Sequence, residues 1–303
     1  MVKKFRVGLV LGGGGARGLA HIGILRVLHR EGLIPDYIVG TSIGALIGYW
    51  YAATLSPEKA EESLRFFLSR KEFLAMQEIL DNDHAVQGRF PKFNRFMNNV
   101  RHFFIMNVGF IRNSIVPEDS LQRLMEETVP HDDFSELKIP FACVATDLTH
   151  GKKVVFEEGN LRKAILASIS IPGVFPPVRD GDSYLCDGAS VGYTPVLVAK
   201  NKDIDFIVAT EVKGFLPPVS FFQKGLDVIL RAQDVGTDLF HREELKAADF
   251  VFHPSVKHVY WSNFRKIDFC IRKGEEEAQC GVQELKKLIQ KKKLGSFYKR
   301  LLN

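Results

Sequence analysis

Glycine suits neither helix nor strand, because it costs backbone entropy and offers no side chain to pack. Four glycines in a row, at 12–15 of LGGGGARG, mark a place where something must come close to the backbone. Three occupants fit such a loop: a dinucleotide, a nucleotide phosphate, or the oxyanion of an acyl transfer. Gly13-x-Gly15-x-x-Gly18 matches the dinucleotide spacing, but that fingerprint also needs an acid at the end of the second strand. Here that strand ends in Gly40-Thr41-Ser42 and Asp36 stands at its beginning. A phosphate loop needs a lysine followed by Ser or Thr after the last glycine, and Gly18-Leu19-Ala20 has neither.

The oxyanion reading has a partner. GTSIG (40–44) is a G-x-S-x-G that opens a helix, the pattern of a sharp strand-to-helix turn that exposes a serine hydroxyl. In a parallel βαβ unit both loops open at the same sheet edge. Backbone N–H groups of Gly14 and Gly15 can then face an oxygen on the carbon that Ser42 attacks, with a helix expected from Arg17 adding its positive end. A serine nucleophile also needs a base. His241, His253 and His258 sit in no glycine-flanked turn and read as structural, and His21 reads as packing. Asp187 follows the strand SYLC and precedes Gly188-Ala189-Ser190, which presents a carboxylate at a strand end. Taken alone, a plain Asp-Gly turn is the better account of it.

The elements around these residues alternate. FRVGLVL (5–11), DYIVG (36–40), IPFACVATDL (139–148), KKVVFEE (152–158), DSYLCDGAS (182–190), DIDFIVATEV (203–212) and ADFVFHP (248–254) read as strands. Helices are expected at 17–31, 42–55, from Ser56-Pro57, at 160–169 and at 223–247. This order predicts an α/β fold, a mainly parallel sheet covered by helices on both faces. Residues 71–117 break the rhythm and read as an inserted helical segment. The expected division is a catalytic domain over 1–255 and a basic helical extension over 256–303.

Composition narrows the class. With 303 residues, 46% hydrophobic, the chain can bury a large core. No apolar run reaches bilayer-spanning length, and the basic start MVKKFRVGLVL is too short for a signal-peptide core. The four cysteines (Cys143, Cys186, Cys270, Cys280) have no C-x-x-C spacing, so neither a metal site nor a disulfide framework is expected. A cytoplasmic location follows as the simpler expectation.

Together the motifs resemble the patatin-like phospholipase family, including its bacterial members and the catalytic domain of neuropathy target esterase. GGGARG (13–18), GTSIG (40–44), ASISIPGVFPPV (167–178) and DGAS (187–190) occur in that family's order. The resemblance implies a three-layer α/β/α fold and a lipid acyl hydrolase of phospholipase A or lysophospholipase type, without a cofactor or metal. Carried over by position, it implies Ser42 as nucleophile and Asp187 as base. It groups Gly13, Gly14, Gly15 and Arg17 as the oxyanion loop, with Gly18, Gly40, Gly44 and Gly188 as motif glycines. The alternative is a non-catalytic lipid- or anion-binding module that keeps the glycine loop.

The net charge is +5, and between His84 and Pro117 there is no acid. Over 93–104 the aromatic residues gather on one helical face and the polar ones on the other. That pattern fits a core-packed amphipathic helix, or a lid or peripheral contact with anionic membrane through 89–112. No nucleic-acid motif is present, so nucleic acid is not an expected partner.

Overall fold

The computed structural model describes residues 4–81, 118–214, 216–222 and 225–302. Strands β1 (Val7–Leu11), β2 (Tyr37–Thr41), β3 (Phe141–Asp147), β7 (Phe206–Thr210) and β8 (Phe250–Phe252) run parallel. Strand β4 (Lys152–Phe156) pairs antiparallel with β3, as does β6 (Ser183–Asp187), which forms a hairpin with β5 (Val178–Asp180). The order is β5-β6-β3-β2-β1-β7-β8, with β4 on β3. Every residue of β2, β3 and β7 is buried, as a strand covered on both faces requires.

Helices α1 (Ala20–Arg30), α2 (Ile43–Thr54), α3 (Pro57–Ser69), α4 (Lys71–Asp81), α5 (Glu118–Thr128), α6 (Leu161–Ile169), α7 (Val196–Lys200), α8 (Gly225–Leu245) and α9 (Ile267–Leu302) flank the sheet. The α/β reading therefore holds, with β5 as an added hairpin strand. Helix α2 is apolar all round and is buried from Ile43 to Ala52. Ser56 caps α3, its hydroxyl accepting from the Lys59 N–H at 3.2 Å, with Pro57 in the first turn. Helix α9 lies against α1 and contributes Cys270, Ile271, Ala278, Val282 and Leu285 to the same core as α1 and α2. Of the expected insertion, 71–81 forms α4; residues 82–117, with the proposed 89–112 membrane contact, lie outside the described residues.

One detail of pairing positions the site. Strand β3 carries β4 on one flank, and β2 on the other as far as Thr41 opposite Val144. At the next residue β6 takes over that flank, with Asp187 opposite Ala145. The ends of β2 and β6 thus meet head to head on β3.

Candidate active site

Ser42 occupies the turn between β2 and α2 with φ 55° and ψ −125°, a backbone that a side chain rarely adopts. Such strain persists only where the surroundings hold it. Those surroundings need glycines on both sides. A Cβ on Gly40 would sit 2.5 Å from Ala45 Cα, and one on Gly44 2.2 Å from the Leu11 carbonyl oxygen. The Ser42 N–H donates to Ser168 Oγ at 3.0 Å, and Ser168 Oγ donates to the Val144 carbonyl at 2.7 Å. Ser168 belongs to the ASIS stretch of α6, and its type alone gave no reason to single it out.

The Ser42 hydroxyl donates to Asp187 Oδ2 at 2.5 Å. Oδ1 of the same carboxylate accepts from the Ala189 N–H at 2.8 Å. Its backbone is fixed by Asp187 N–H to Ser170 O at 2.8 Å and by Thr146 Oγ1 to Asp187 O at 2.9 Å. Gly188 is needed because a Cβ there would meet the Val144 carbonyl oxygen at 2.3 Å. Burial raises the Asp187 carboxyl to about 6, against the opposing effect of the Ser42 and Ala189 hydrogen bonds.

The glycine loop lies beside this pair. A Cβ on Gly13 would sit 3.4 Å from Ser42 Cβ. The Gly13 N–H donates to the Tyr193 carbonyl at 2.7 Å, which suits a glycine of the oxyanion loop that shapes the turn beside the expected donors Gly14 and Gly15. Gly12 and Ala16 donate to Thr210 O and Trp261 O. Among the described residues no protein acceptor meets the N–H of Gly14 or Gly15. Gly15 has φ +58°, and a Cβ on Gly14 would lie 2.8 Å from Val212 O. The α-helix begins at Ala20, later than expected, after a 3-10 turn over Gly15–Leu19. Gly18 lets that turn pack on α2, since its Cβ would meet Ile43 Cγ2 at 2.2 Å.

Arg17 braces the loop through two backbone carbonyls. Its Nε donates to Val212 O at 3.0 Å and its Nη1 to Val259 O at 3.3 Å. Fully buried His21 anchors the loop from the other side, with Nε2 2.8 Å from Gly12 O. A carbonyl only accepts, so Nε2 carries the proton. Burial lowers this imidazole to about 4, which keeps it neutral. The other histidines lie elsewhere. His241 and His253 pair with Glu211, and His258 packs edge-on against Phe269.

From Ser42 an apolar cleft, part of it open to solvent, runs between α2, α4, α5 and the Trp261 segment. Leu46, Phe73, Met76, Leu124, Val174 and Trp261 line it. The arrangement offers a hydroxyl bonded to a buried carboxylate, unengaged backbone donors nearby, and an apolar channel for a chain. The cysteines are free, with Cys143, Cys186 and Cys270 buried. No described helix is long and apolar enough to cross a bilayer.

Comparison with known proteins agrees with the fold and the motifs. The patatin-like phospholipase family description matches residues 9–200, and the chain belongs to that family. It is 26% identical to an uncharacterised NTE family protein of Mycobacterium tuberculosis, over 93% of this chain and 47% of the relative. It is 27% identical to lysophospholipase NTE1 of Debaryomyces hansenii, over 68% of this chain and 12% of that protein. A patatin-like phospholipase domain-containing protein of Caenorhabditis elegans is 32% identical over 72% of this chain and 14% of its own length. The chain thus spans less than half the length of these relatives. The crystal structure of VipD from Legionella pneumophila superposes with a TM-score of 0.51 at 14% identity, covering 95% of this chain and 67% of that one. That likeness concerns the fold.

Proposed function

We propose that the protein hydrolyses carboxylic ester bonds of lipids through a Ser42–Asp187 dyad. The observation that carries this reading is the 2.5 Å hydrogen bond from the Ser42 hydroxyl to Asp187, made at a strained strand-to-helix turn. The Ser42 oxygen attacks the ester carbonyl carbon as its proton passes to Asp187 Oδ2. The carbonyl oxygen becomes an oxyanion held by the N–H groups of Gly14 and Gly15. A preorganised donor of this kind contributes about 3–4 kcal/mol to the barrier.

Collapse of the tetrahedral intermediate breaks the ester C–O bond, and Asp187 returns the proton to the departing alcohol. Water then attacks the acyl-serine as Asp187 takes its proton; the bond between the acyl carbon and Ser42 Oγ breaks, Asp187 gives that proton back to Ser42 Oγ, and the carboxylic acid leaves. Carboxylates are weak bases toward a hydroxyl. A buried one, raised to about 6, is a better match. The apolar cleft accepts the acyl chain, and the lysophospholipase relative supports a lipid ester as substrate.

A fluorophosphonate probe tests the reading. Covalent labelling at Ser42, abolished in Ser42→Ala, is the expected result. An unreactive Ser42 in folded protein would leave the non-catalytic anion-binding alternative instead.

A further inference from the structure

Helix α8 is turned inside out. Its inward side chains are Asp238, His241 and Glu244, spaced three apart and all buried. Polar partners hold them: Lys213 pairs with Asp238, Lys153 Nζ lies 3.2 Å from Glu244 Oε1, and His241 Nε2 lies 3.5 Å from Glu211 Oε1. The opposite face carries Val228, Ala232, Val235 and Leu239 at helical spacing, flanked by Ile229, Gly236 and Phe240. All of these are exposed, Ile229 to 65% and Leu239 to 60%. A surface helix ordinarily turns its apolar stripe to the core. An apolar patch of this extent left in water marks a contact surface.

The patch continues into the segment before the helix. Val219, Phe221 and Phe222 are exposed there, Phe221 to 74%. Arg231 Nη2 donates to Pro217 O at 2.7 Å and ties that segment to α8. This chain section leaves the sheet beside the glycine loop. Val212 O accepts from Arg17 and lies against Gly14, and Gly214 packs on the Arg17 guanidinium. The apolar face therefore starts at the sheet edge where Ser42 opens.

Shape and charge favour one occupant. Apart from Arg231, every residue over 225–236 whose side chain is described is exposed, so the helix projects as a convex ridge. A projecting ridge offers little flat area to a second folded surface, whereas a fluid head-group layer closes around it. The stripe carries no charge, and α8 has acids at Asp227, Asp234, Asp238, Glu243 and Glu244 against Arg231 and Arg242. Attraction to anionic lipid is absent from this face, so the contact must be apolar.

We propose that the outward face of α8, with Val219, Phe221 and Phe222, seats the protein on a lipid layer and brings the mouth of the cleft to its surface. This rests on the lipid reading of the site. Sedimentation with phosphatidylcholine vesicles tests it, using Ser42→Ala so that no lipid is consumed. Binding is expected to persist from low to high salt. It should fall at least about tenfold in Phe221→Asp/Ile229→Asp and in the milder Leu239→Gln.

In the active protein, the same variants should keep hydrolysis of a water-soluble short-chain ester and lose hydrolysis of vesicle-borne ester in step with binding. No vesicle binding, binding abolished by salt, or binding unchanged in both variants would overturn the proposal. Self-association that the variants dissolve, without vesicle binding, would overturn it in favour of a second copy. If the short-chain ester is untouched by wild type, the hydrolase reading fails, while the vesicle result still decides the surface.

Discussion

Ser168 supports the backbone of Ser42: its Oγ accepts a hydrogen bond from the Ser42 N–H at 3.0 Å and donates one to the Val144 carbonyl at 2.7 Å. Helix α6, the nucleophile turn and β3 are locked together through one hydroxyl. It touches no reacting atom, so it acts by position.

Ser168→Ala leaves a buried N–H and a buried C=O without their partner, a cost of about 1–3 kcal/mol. Part of that cost falls on the strained Ser42 conformation. The expected outcome is a kcat lowered by roughly ten- to a hundredfold, with KM little changed. Ser168→Thr, which keeps the hydroxyl, should recover most of it. An equal loss in both variants would make the effect one of packing.

Asp187→Asn should remove ester hydrolysis and yet stabilise the fold at neutral pH. The folded chain raises this carboxyl from 3.8 to about 6. The stability linked to that raised value is complete below the unfolded pKa and is lost as pH rises through about 6. At about 1.4 kcal/mol per unit, the ionised carboxylate costs on the order of 3 kcal/mol at neutral pH. Thermal unfolding should therefore show a higher Tm for the variant at neutral pH, with the gap closing around pH 4.

The same group sets the pH profile. The base must be ionised, so kcat/KM for a neutral ester should rise with pH through about 6 and then level off. His241→Gln and His253→Gln should leave the position of that rise in place. A rise that moves with either histidine would assign the base elsewhere.

His21 carries the opposite sign. Its folded value lies near 4, below the ordinary 6.5, because burial disfavours the charged ring. The wild type is expected to lose stability as pH falls from about 6.5 to about 4. His21→Gln should lose less over that window in chemical unfolding. It should also lower kcat, because the anchor under Gly12 O is altered.

The motif glycines were legible because each answers a collision: with Ala45 for Gly40, Leu11 for Gly44 and Val144 for Gly188. The strands of the parallel core were legible because burial on both faces leaves continuous apolar runs. The split of β3's flank between β2 and β6 was not legible, since register depends on pairing between distant segments. That the Tyr193 carbonyl takes the Gly13 N–H was not legible, since spacing does not reveal an acceptor from a distant segment. Helix α8 shows the same limit: periodicity finds two faces, and only the polar partners Lys153, Glu211 and Lys213 decide which turns inward.

Helices α1 and α9 cross where glycine faces backbone from both sides. A Cβ on Gly23 would meet Ile271 O at 2.0 Å, and one on Gly274 would meet Ala20 O at 2.0 Å. Ala20 directly follows the turn that carries Gly15. A single methyl group at Gly274 would thus act as a wedge, pushing on the first residue of α1 and tilting the glycine loop without touching it. The crossing is a handle for tuning the site from the far end of the chain.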